Sequence, residues 1–220
     1  MQAYLDILKK CPLFNNIPEK ELLINIKSIN YQIRSYNNNE YVLSIGDYTS
    51  LIGIVLSGNV YISEEDIWGN TSIISNIDIG DIFGETYACL DNYPLQINVK
   101  ASENTKILFI STNEITNNTL KQDFAYKFLT NLLQAIAHKN LLLTQKIKHI
   151  SKRTTRDKLL SYLNSQAQKS DRLKFNIPFN RQQLADYLSL DRSSMSRELG
   201  KMQAEGIIIV NKNTFELLSK

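Results

Sequence analysis

The sequence predicts an α+β protein in which an N-terminal antiparallel β-domain precedes a long helix and a C-terminal pair of short helices. Three observations support this order. Between Tyr31 and Ile110 the apolar residues follow a period of two, and six of the eight glycines lie between Gly46 and Gly84, which is typical of short strands and tight turns. Residues 124–150 contain no glycine or proline, which favours one long helix. Asn180–Met202 contains two successive helix starts, each followed by apolar residues at helical spacing.

The composition is that of a globular chain. It has 220 residues, two cysteines and a formal net charge of +3. No apolar run approaches the ~20 residues that a membrane span needs, and the N-terminus lacks the features of a signal peptide. Cys11 and Cys89 are too far apart to suggest a metal site or a disulfide framework. We therefore expect a cytoplasmic protein without a membrane partner or a metal centre.

Short helices are expected over residues 4–29, before the β-domain begins. The segments that follow are rich in Ile, Val and Tyr and are bounded by Gly, Asn and Asp, which predicts an antiparallel sandwich, barrel or roll of about 80 residues. Two glycine-containing segments, Ser57–Gly58 and Trp68–Asn70, are expected at hairpin tips.

The long helix carries an apolar row with a spacing near 3.5 residues, interrupted once at Lys139 and Asn140. Such a row predicts that the helix pairs with a second copy of itself, and Asn140 would then fix the register of the pair. The alternative is that the helix packs on its own β-domain. The row consists of Leu129, Leu132 or Leu133, Ile136, Asn140, Leu143, Ile147 and Ile150.

The C-terminal region has the layout of a DNA-binding helix pair. Asn180 and Gln183 have the spacing of a capping box, and Asp191 can cap a second helix. Met195, Leu199 and Met202 then share one face. The two strands predicted after Gly206 would form a wing beside the helices. The opposite face of the second helix would carry Arg192, Ser193, Ser196, Arg197 and Lys201.

The charge distribution supports the same interpretation. Residues 151–220 contain 13 Lys and Arg against 7 Asp and Glu, whereas residues 1–150 contain 12 against 15. A basic segment joined to a slightly acidic one is typical of a nucleic-acid-binding module attached to another domain. An ordinary amphipathic helical hairpin with a solvated charged face is the alternative.

The order of these parts resembles the CRP/FNR family of bacterial transcription regulators. Two motifs carry the resemblance: GDIFGE at Gly80–Glu85 and the stretch Asn180–Met202. The resemblance implies a jelly-roll-like effector-sensing β-roll over residues 1–118, a dimerisation helix over 119–150 and a winged helix-turn-helix over 151–220. It further implies a homodimer that binds a near-palindromic site in double-stranded DNA and has RNA polymerase as a partner.

Roles for individual residues follow from the same resemblance. Arg192 would read a base, guanine in particular, because its guanidinium can bond O6 and N7 together. Arg181 would bind a phosphate. The family often has Glu at the position of Ser193 and Gly at the position of Ser189, so this chain departs from the pattern at two points. Base or phosphate contacts are implied for Ser193, Ser196 and Arg197, and Lys201 would lie on the same surface.

The resemblance also bears on the effector. Cyclic-nucleotide members hold the phosphate with an Arg-Ser or Arg-Thr pair, and those two positions fall here at Leu95 and Gln96. No Arg occurs between Arg34 and Arg153, so we predict that cyclic AMP does not bind. An unknown effector that is apolar or small is expected instead. The predicted pocket comprises Glu85, Tyr87, Cys89 and Leu95 from the roll and Asn140, Leu143 and Thr144 from the helix.

The same residues bear on other cofactors and other functions. Two distant cysteines cannot bind an iron–sulfur cluster. A haem held by His138, His149 or Cys89 stays open, as does a redox role for Cys89. A cupin-like enzyme is excluded because the predicted strands contain no His, and no catalytic constellation appears elsewhere. A dimeric interaction module that does not bind DNA is the remaining alternative.

Overall fold

The structure is a computed structural model that describes residues 1–29, 31–65, 71–90, 92–116 and 122–218. The chain divides into two compact units, Met1–His138 and Lys139–Lys220. None of the helices in these described ranges combines the length and the apolarity of a membrane span.

The N-terminal unit is built on two antiparallel four-stranded sheets, which confirms the predicted α+β class with a β-roll. The strands are β1 (Gln32–Tyr36), β2 (Tyr41–Leu43), β3 (Leu51–Ser57), β4 (Val60–Glu65), β5 (Thr71–Ile77), β6 (Ile82–Phe83), β7 (Asn98–Ala101) and β8 (Thr105–Ser111). One sheet has the strand order β1-β8-β3-β6 and the other β2-β7-β4-β5.

The space between the sheets is filled by apolar side chains. Val55, Val99 and Phe109 belong to a cluster of buried residues contributed by both sheets. Gly53 is required within it because a methyl group at that position would collide with the ring of Phe83. Ser57–Gly58 does form a turn, and Gly58 has a φ of +73°. The turn leads from β3 into β4, which belong to different sheets and do not pair, so the predicted hairpin at this point is wrong. The second predicted tip, at residues 68–70, lies outside the described residues.

Helices cover the outer face of the first sheet. They are α1 (Leu5–Lys10), α2 (Glu19–Ser28), α3 (Glu85–Ala88), α4 (Thr112–Thr116) and the start of α5 (Gln122–Ile150). Phe124 and Phe128 of α5 are fully buried in the core that α1 and α2 share. The Asn131 side chain donates hydrogen bonds to the carbonyl oxygens of Leu13 and Asn15, at 3.0 and 2.8 Å. These bonds fix the first half of α5 to its own unit.

The C-terminal unit consists of the end of α5, three further helices and a small antiparallel sheet with the order β10-β11-β9. Its apolar core is formed by side chains from the helices and strands that follow α5, including Tyr162, Leu184, Met195 and Phe215. The elements are α6 (Thr155–Ser170), β9 (Lys174–Asn176), α7 (Arg181–Tyr187), α8 (Arg192–Ala204), β10 (Ile208–Asn211) and β11 (Thr214–Leu217). Strands β10 and β11 are the predicted wing.

Candidate functional site

The first helix of the predicted pair begins with the capping box that the sequence indicates. The Gln183 backbone N–H donates to Asn180 Oδ1 at 3.0 Å, and the Asn180 N–H donates to Gln183 Oε1 at 2.8 Å. Leu184 and Ala185 are buried on the inner face of α7. Two donors of the first turn are thus satisfied without a tertiary partner.

The turn between α7 and α8 depends on Ser189. This residue has a φ of +51°, in the left-handed region where the family pattern has Gly. The Leu190 N–H donates to the Ala185 carbonyl at 2.9 Å and closes the helix end. Lys158 of α6 donates to the carbonyl oxygens of Leu188 and Ser189, at 3.3 Å each. No local sequence pattern indicates this lysine, because it lies 30 residues before Leu188.

The second helix starts at the predicted cap. Asp191 Oδ1 accepts the backbone N–H of Ser194 at 2.8 Å and the hydroxyl of Ser193 at 2.6 Å. The hydrogen bonds from Ser193 and then from Ser194 lower the pKa of Asp191 to about 2. The Ser193 proton is therefore engaged within the cap, which leaves the oxygen lone pairs of that side chain to face outward.

Helix α8 has two chemically distinct faces. Met195, Leu199 and Met202 are buried in the core of the C-terminal unit, as predicted. The other face is exposed and combines positive charge with hydroxyl groups, which is the composition that contacts phosphates and base edges. It comprises Arg192, Ser193, Ser196, Arg197 and Lys201.

Arg181 packs against the wing. It is only partly exposed, and its guanidinium carbon lies 5.2 Å from the ring centroid of Phe215 in β11. One nitrogen, Nη1, is buried and has no hydrogen-bond partner among the described residues. This burial lowers the pKa of Arg181. With Arg192 and Lys212, Arg181 lines a groove of about 920 Å³ beside the wing.

A bridge that the sequence did not reveal holds α8 against α6. Arg156 Nε donates to Glu198 Oε1 at 2.6 Å, and its two terminal nitrogens donate to the Glu205 carboxylate at 2.8 Å each. Hydrogen bonds to Glu205 and then Glu198 raise the pKa of Arg156. The partners lie 42 and 49 residues away in the chain, so no local pattern could indicate them.

In the N-terminal unit, the two positions predicted to correspond to the phosphate-binding pair, Leu95 and Gln96, carry no positive charge. Leu95 is 2% exposed. Its carbonyl oxygen accepts the Gly46 N–H, and its own N–H donates to the Asp47 carbonyl, at 2.8 Å each. The Gln96 side chain donates to the hydroxyl of Tyr93 at 3.2 Å. An anionic phosphate would find no guanidinium at this point.

The remaining residues of the predicted pocket have varied surroundings. Glu85 is buried and Tyr87 is partly exposed. On the helix, Asn140, Leu143 and Thr144 are exposed. The pocket combines residues of both units and stays a prediction.

The residues considered for haem or redox chemistry also lie in different surroundings. His149 is 2% exposed, its Nδ1 lies 2.8 Å from the Ser161 hydroxyl, and its ring meets Tyr162 edge-on. His138 is exposed. Cys89 is exposed. Desolvation and then the Glu85 carboxylate raise its pKa, which keeps the sulfur in the less reactive thiol form.

The apolar row of α5 is exposed except where it meets the core of its own unit. Leu132 is 5% exposed and packs with Phe124 and Phe128, so it does not belong to the row. Leu133, the alternative, is 68% exposed. Ile136 packs partly against the same core. The exposed apolar members are Leu129 at 42%, Leu133 at 68%, Leu143 at 60% and Ile147 at 60%.

Comparisons with known proteins agree with this architecture. A family model described as the cyclic nucleotide-binding domain matches residues 33–120, and one described as the Crp-like helix-turn-helix domain matches residues 157–220. No curated protein sequence matches the chain significantly.

Several solved structures share the fold at low identity. CprK in complex with OCPA is 14% identical, with 89% of this chain and 88% of that chain covered and a TM-score of 0.62. The c-di-GMP-responsive global regulator CLP of Xanthomonas campestris is 19% identical, with coverages of 91% and 98% and a TM-score of 0.57. DNR of Pseudomonas aeruginosa is 18% identical, with coverages of 100% and 96% and a TM-score of 0.50. With a sensor-type β-roll and a Crp-like helix-turn-helix on one chain, the protein belongs to the CRP/FNR family of DNA-binding transcription regulators.

Proposed function

We propose that the protein is a homodimer that binds a near-palindromic DNA sequence and is gated by a small effector other than cyclic AMP. The observation that carries the proposal is the exposed face of α8, where Arg192, Ser196 and Arg197 stand opposite the buried Met195. A helix anchored on one face and basic on the other can enter a major groove without disturbing its own core.

The hydrogen-bonding groups of each exposed residue of α8 determine which DNA contact we assign to it. Arg192, at the first position of α8, can bond guanine O6 and N7 together. The Ser193 hydroxyl donates a hydrogen bond to Asp191, so its oxygen can accept one from an amino group such as cytosine N4. Ser196 and Arg197 lie one turn further on and reach either a base or a phosphate. Lys201, near the end of the helix, contributes a phosphate contact that carries no sequence information.

Arg181 takes a different part in this proposal. Its guanidinium is held against Phe215, and the buried Nη1 has no hydrogen-bond partner among the described residues. A DNA phosphate at the edge of the groove would accept a bond from this side chain and offset its desolvation. We therefore expect Arg181 to contribute to affinity for every sequence alike.

Pairing along α5 would give the regulator its two-fold symmetry. Leu129, Leu133, Ile136, Asn140, Leu143, Ile147 and Ile150 follow one another at alternating intervals of four and three residues. This is a heptad seam, in which Asn140 can pair with its counterpart at the cost of some stability. A dimer of this kind presents two recognition helices to half-sites about 10 base pairs apart.

The effector is proposed to be small and uncharged. Leu95 and Gln96 replace the phosphate-binding pair, and the space between the two sheets is filled by the cluster that includes Val99 and Phe109. The pocket of Glu85, Tyr87, Cys89, Leu95, Asn140, Leu143 and Thr144 stays part of the proposal, with RNA polymerase as partner and the cytoplasm as location. Titration calorimetry with cyclic AMP should give no binding heat, and micromolar affinity would contradict this part.

The DNA contacts are tested by fluorescence anisotropy on a duplex selected from a random pool. Arg192→Ala should lose about 1–3 kcal/mol of binding free energy and relax one base position. Arg181→Ala should weaken all sequences equally and flatten the salt dependence. Lys174→Gln, outside this surface, is the matched control. Unchanged sequence preference in Arg192→Ala would remove that residue from base reading.

A further inference from the structure

The C-terminal unit contains a groove that the proposed DNA contacts do not use. It lies between the last turns of α5 and one side of α6 and has a volume of about 760 Å³. This volume falls within the ~300–1,000 Å³ of small-molecule sites. Its walls are polar, and Leu160 is its apolar side chain. A groove of this size and polarity suits a hydrophilic ligand.

The charges in the groove are mainly positive. Lys148 and Lys152 lie on one wall and Lys169 on the other, whereas Asp157 is the one acidic lining residue. The Asp157 carboxylate already accepts the Thr154 hydroxyl at 2.8 Å. Lys169 Nζ donates to Gln145 Oε1 at 2.9 Å and so links α6 to α5 across the groove. The surplus of ammonium donors favours an anion with several acceptor atoms.

A buried histidine in the groove, His149, is close enough to lysines of both walls to be affected by their charges. His149 lines the groove and is 2% exposed, with Nδ1 bonded to Ser161 and its ring against Tyr162. Its pKa is lowered by burial first and then by the charges of Lys148 and Lys169. Lysines from two different helices therefore contribute to the potential at one ring.

We propose that this groove binds a phosphate-bearing anion, with Lys148, Lys152 and Lys169 as its charge partners. A phosphate carries up to two negative charges and accepts several hydrogen bonds, which matches ammonium, amide and hydroxyl groups on both walls. The anion would link the end of α5 to α6. Two sources share this chemistry, a free phosphorylated small molecule and the backbone of bound DNA.

The first arm of the test uses the full-length protein, no DNA, and pyrophosphate as the probe. The chain has only two histidines, so NMR resolves the His149 ring signals, with exposed His138 as an internal reference. Pyrophosphate should shift the His149 signals saturably and leave His138 unchanged. Lys152→Gln and Lys169→Gln should each raise the Kd about tenfold, since each removes one charge-assisted contact. Lys174→Gln, whose lysine pairs with Glu216 instead, should match the wild type.

The second arm measures DNA affinity against salt for the same variants. If the DNA backbone is the source, pyrophosphate leaves His149 unchanged, and Lys152→Gln flattens the slope of log K against log salt by about one. If a free anion is the source, the NMR shift appears and the slope of the variant equals that of the wild type. An unshifted His149 together with an unchanged slope overturns the proposal. The first arm needs no DNA, so it stands or falls separately from the proposed regulator function.

Discussion

Replacing Leu133 by Glu should dissociate the proposed dimer without unfolding either subunit. Leu133 is 68% exposed in the single chain, whereas its neighbour Leu132 is 5% exposed and packed in the N-terminal core. A glutamate at an exposed helical position is well tolerated because its helix propensity is close to that of leucine. The substitution therefore separates pairing from folding.

The size of the effect follows from the exposed fraction. Full burial of a leucine side chain contributes about 1.5–3 kcal/mol, and two-thirds of the Leu133 surface is still available for a partner. Each copy would thus lose about 1–2 kcal/mol, and the pair about 2–4 kcal/mol. The dimer Kd should rise about 30- to 1,000-fold. Two glutamates facing each other across the seam add repulsion to this estimate.

Sedimentation equilibrium over a range of protein concentrations measures this Kd directly. Ile24→Glu is the matched control, because Ile24 is an apolar residue of α2 with 57% exposure that lies outside the row. It should leave the Kd unchanged. Leu132→Ala should instead lower the free energy of unfolding by about 2–5 kcal/mol. A dimer of wild-type affinity in Leu133→Glu, or dissociation by Ile24→Glu, would refute the seam.

Three further predictions concern the C-terminal unit and are measured by urea unfolding. Ser189→Gly should raise the free energy of unfolding by about 0.5–1 kcal/mol, because Ser189 has a φ of +51°. The backbone strain that glycine relieves exceeds the conformational entropy that it adds to the unfolded chain. A loss of stability would contradict this. Lys158→Met should lower it by about 1–2 kcal/mol, since two carbonyls at the turn lose their donor, and an unchanged value would remove Lys158 from the turn. Folding lowers the pKa of His149 from 6.5, so the unfolded chain takes up a proton at this residue more readily than the folded chain does. The contribution of His149 to the free energy of unfolding is therefore complete above pH 6.5 and is lost as the pH falls below it. His149→Gln should therefore show a flatter decline below pH 6.5, and identical slopes would argue against this assignment.

Local signals in the sequence predicted local structure well. The capping box of Asn180 and Gln183 and the Asp191 cap join residues three apart, so spacing alone identifies them. The apolar spacing of Met195 and its neighbours likewise predicted which face of α8 is buried. Such features need no knowledge of distant parts of the chain.

Features that depend on contacts between distant parts of the chain could not be predicted from the sequence. A spacing near 3.5 fits Leu132 and Leu133 equally, and only packing against the N-terminal helices buries the first and exposes the second. Arg181 follows a phosphate-contact pattern, yet Phe215, 34 positions later, draws its guanidinium toward the wing. The hydrogen bonds from Arg156 to Glu198 and Glu205 likewise join residues that are far apart in the chain, so no local pattern indicates them.

In the proposed regulator, two copies of this chain together read a symmetric DNA sequence. Selection of bound duplexes from a random pool by the purified full-length protein, followed by sequencing, tests it most directly. Two inverted half-sites with centres about 10 base pairs apart should be enriched, each with a guanine whose preference disappears in Arg192→Ala. A pool that shows no enriched sequence, or a single half-site without its inverted copy, would contradict it.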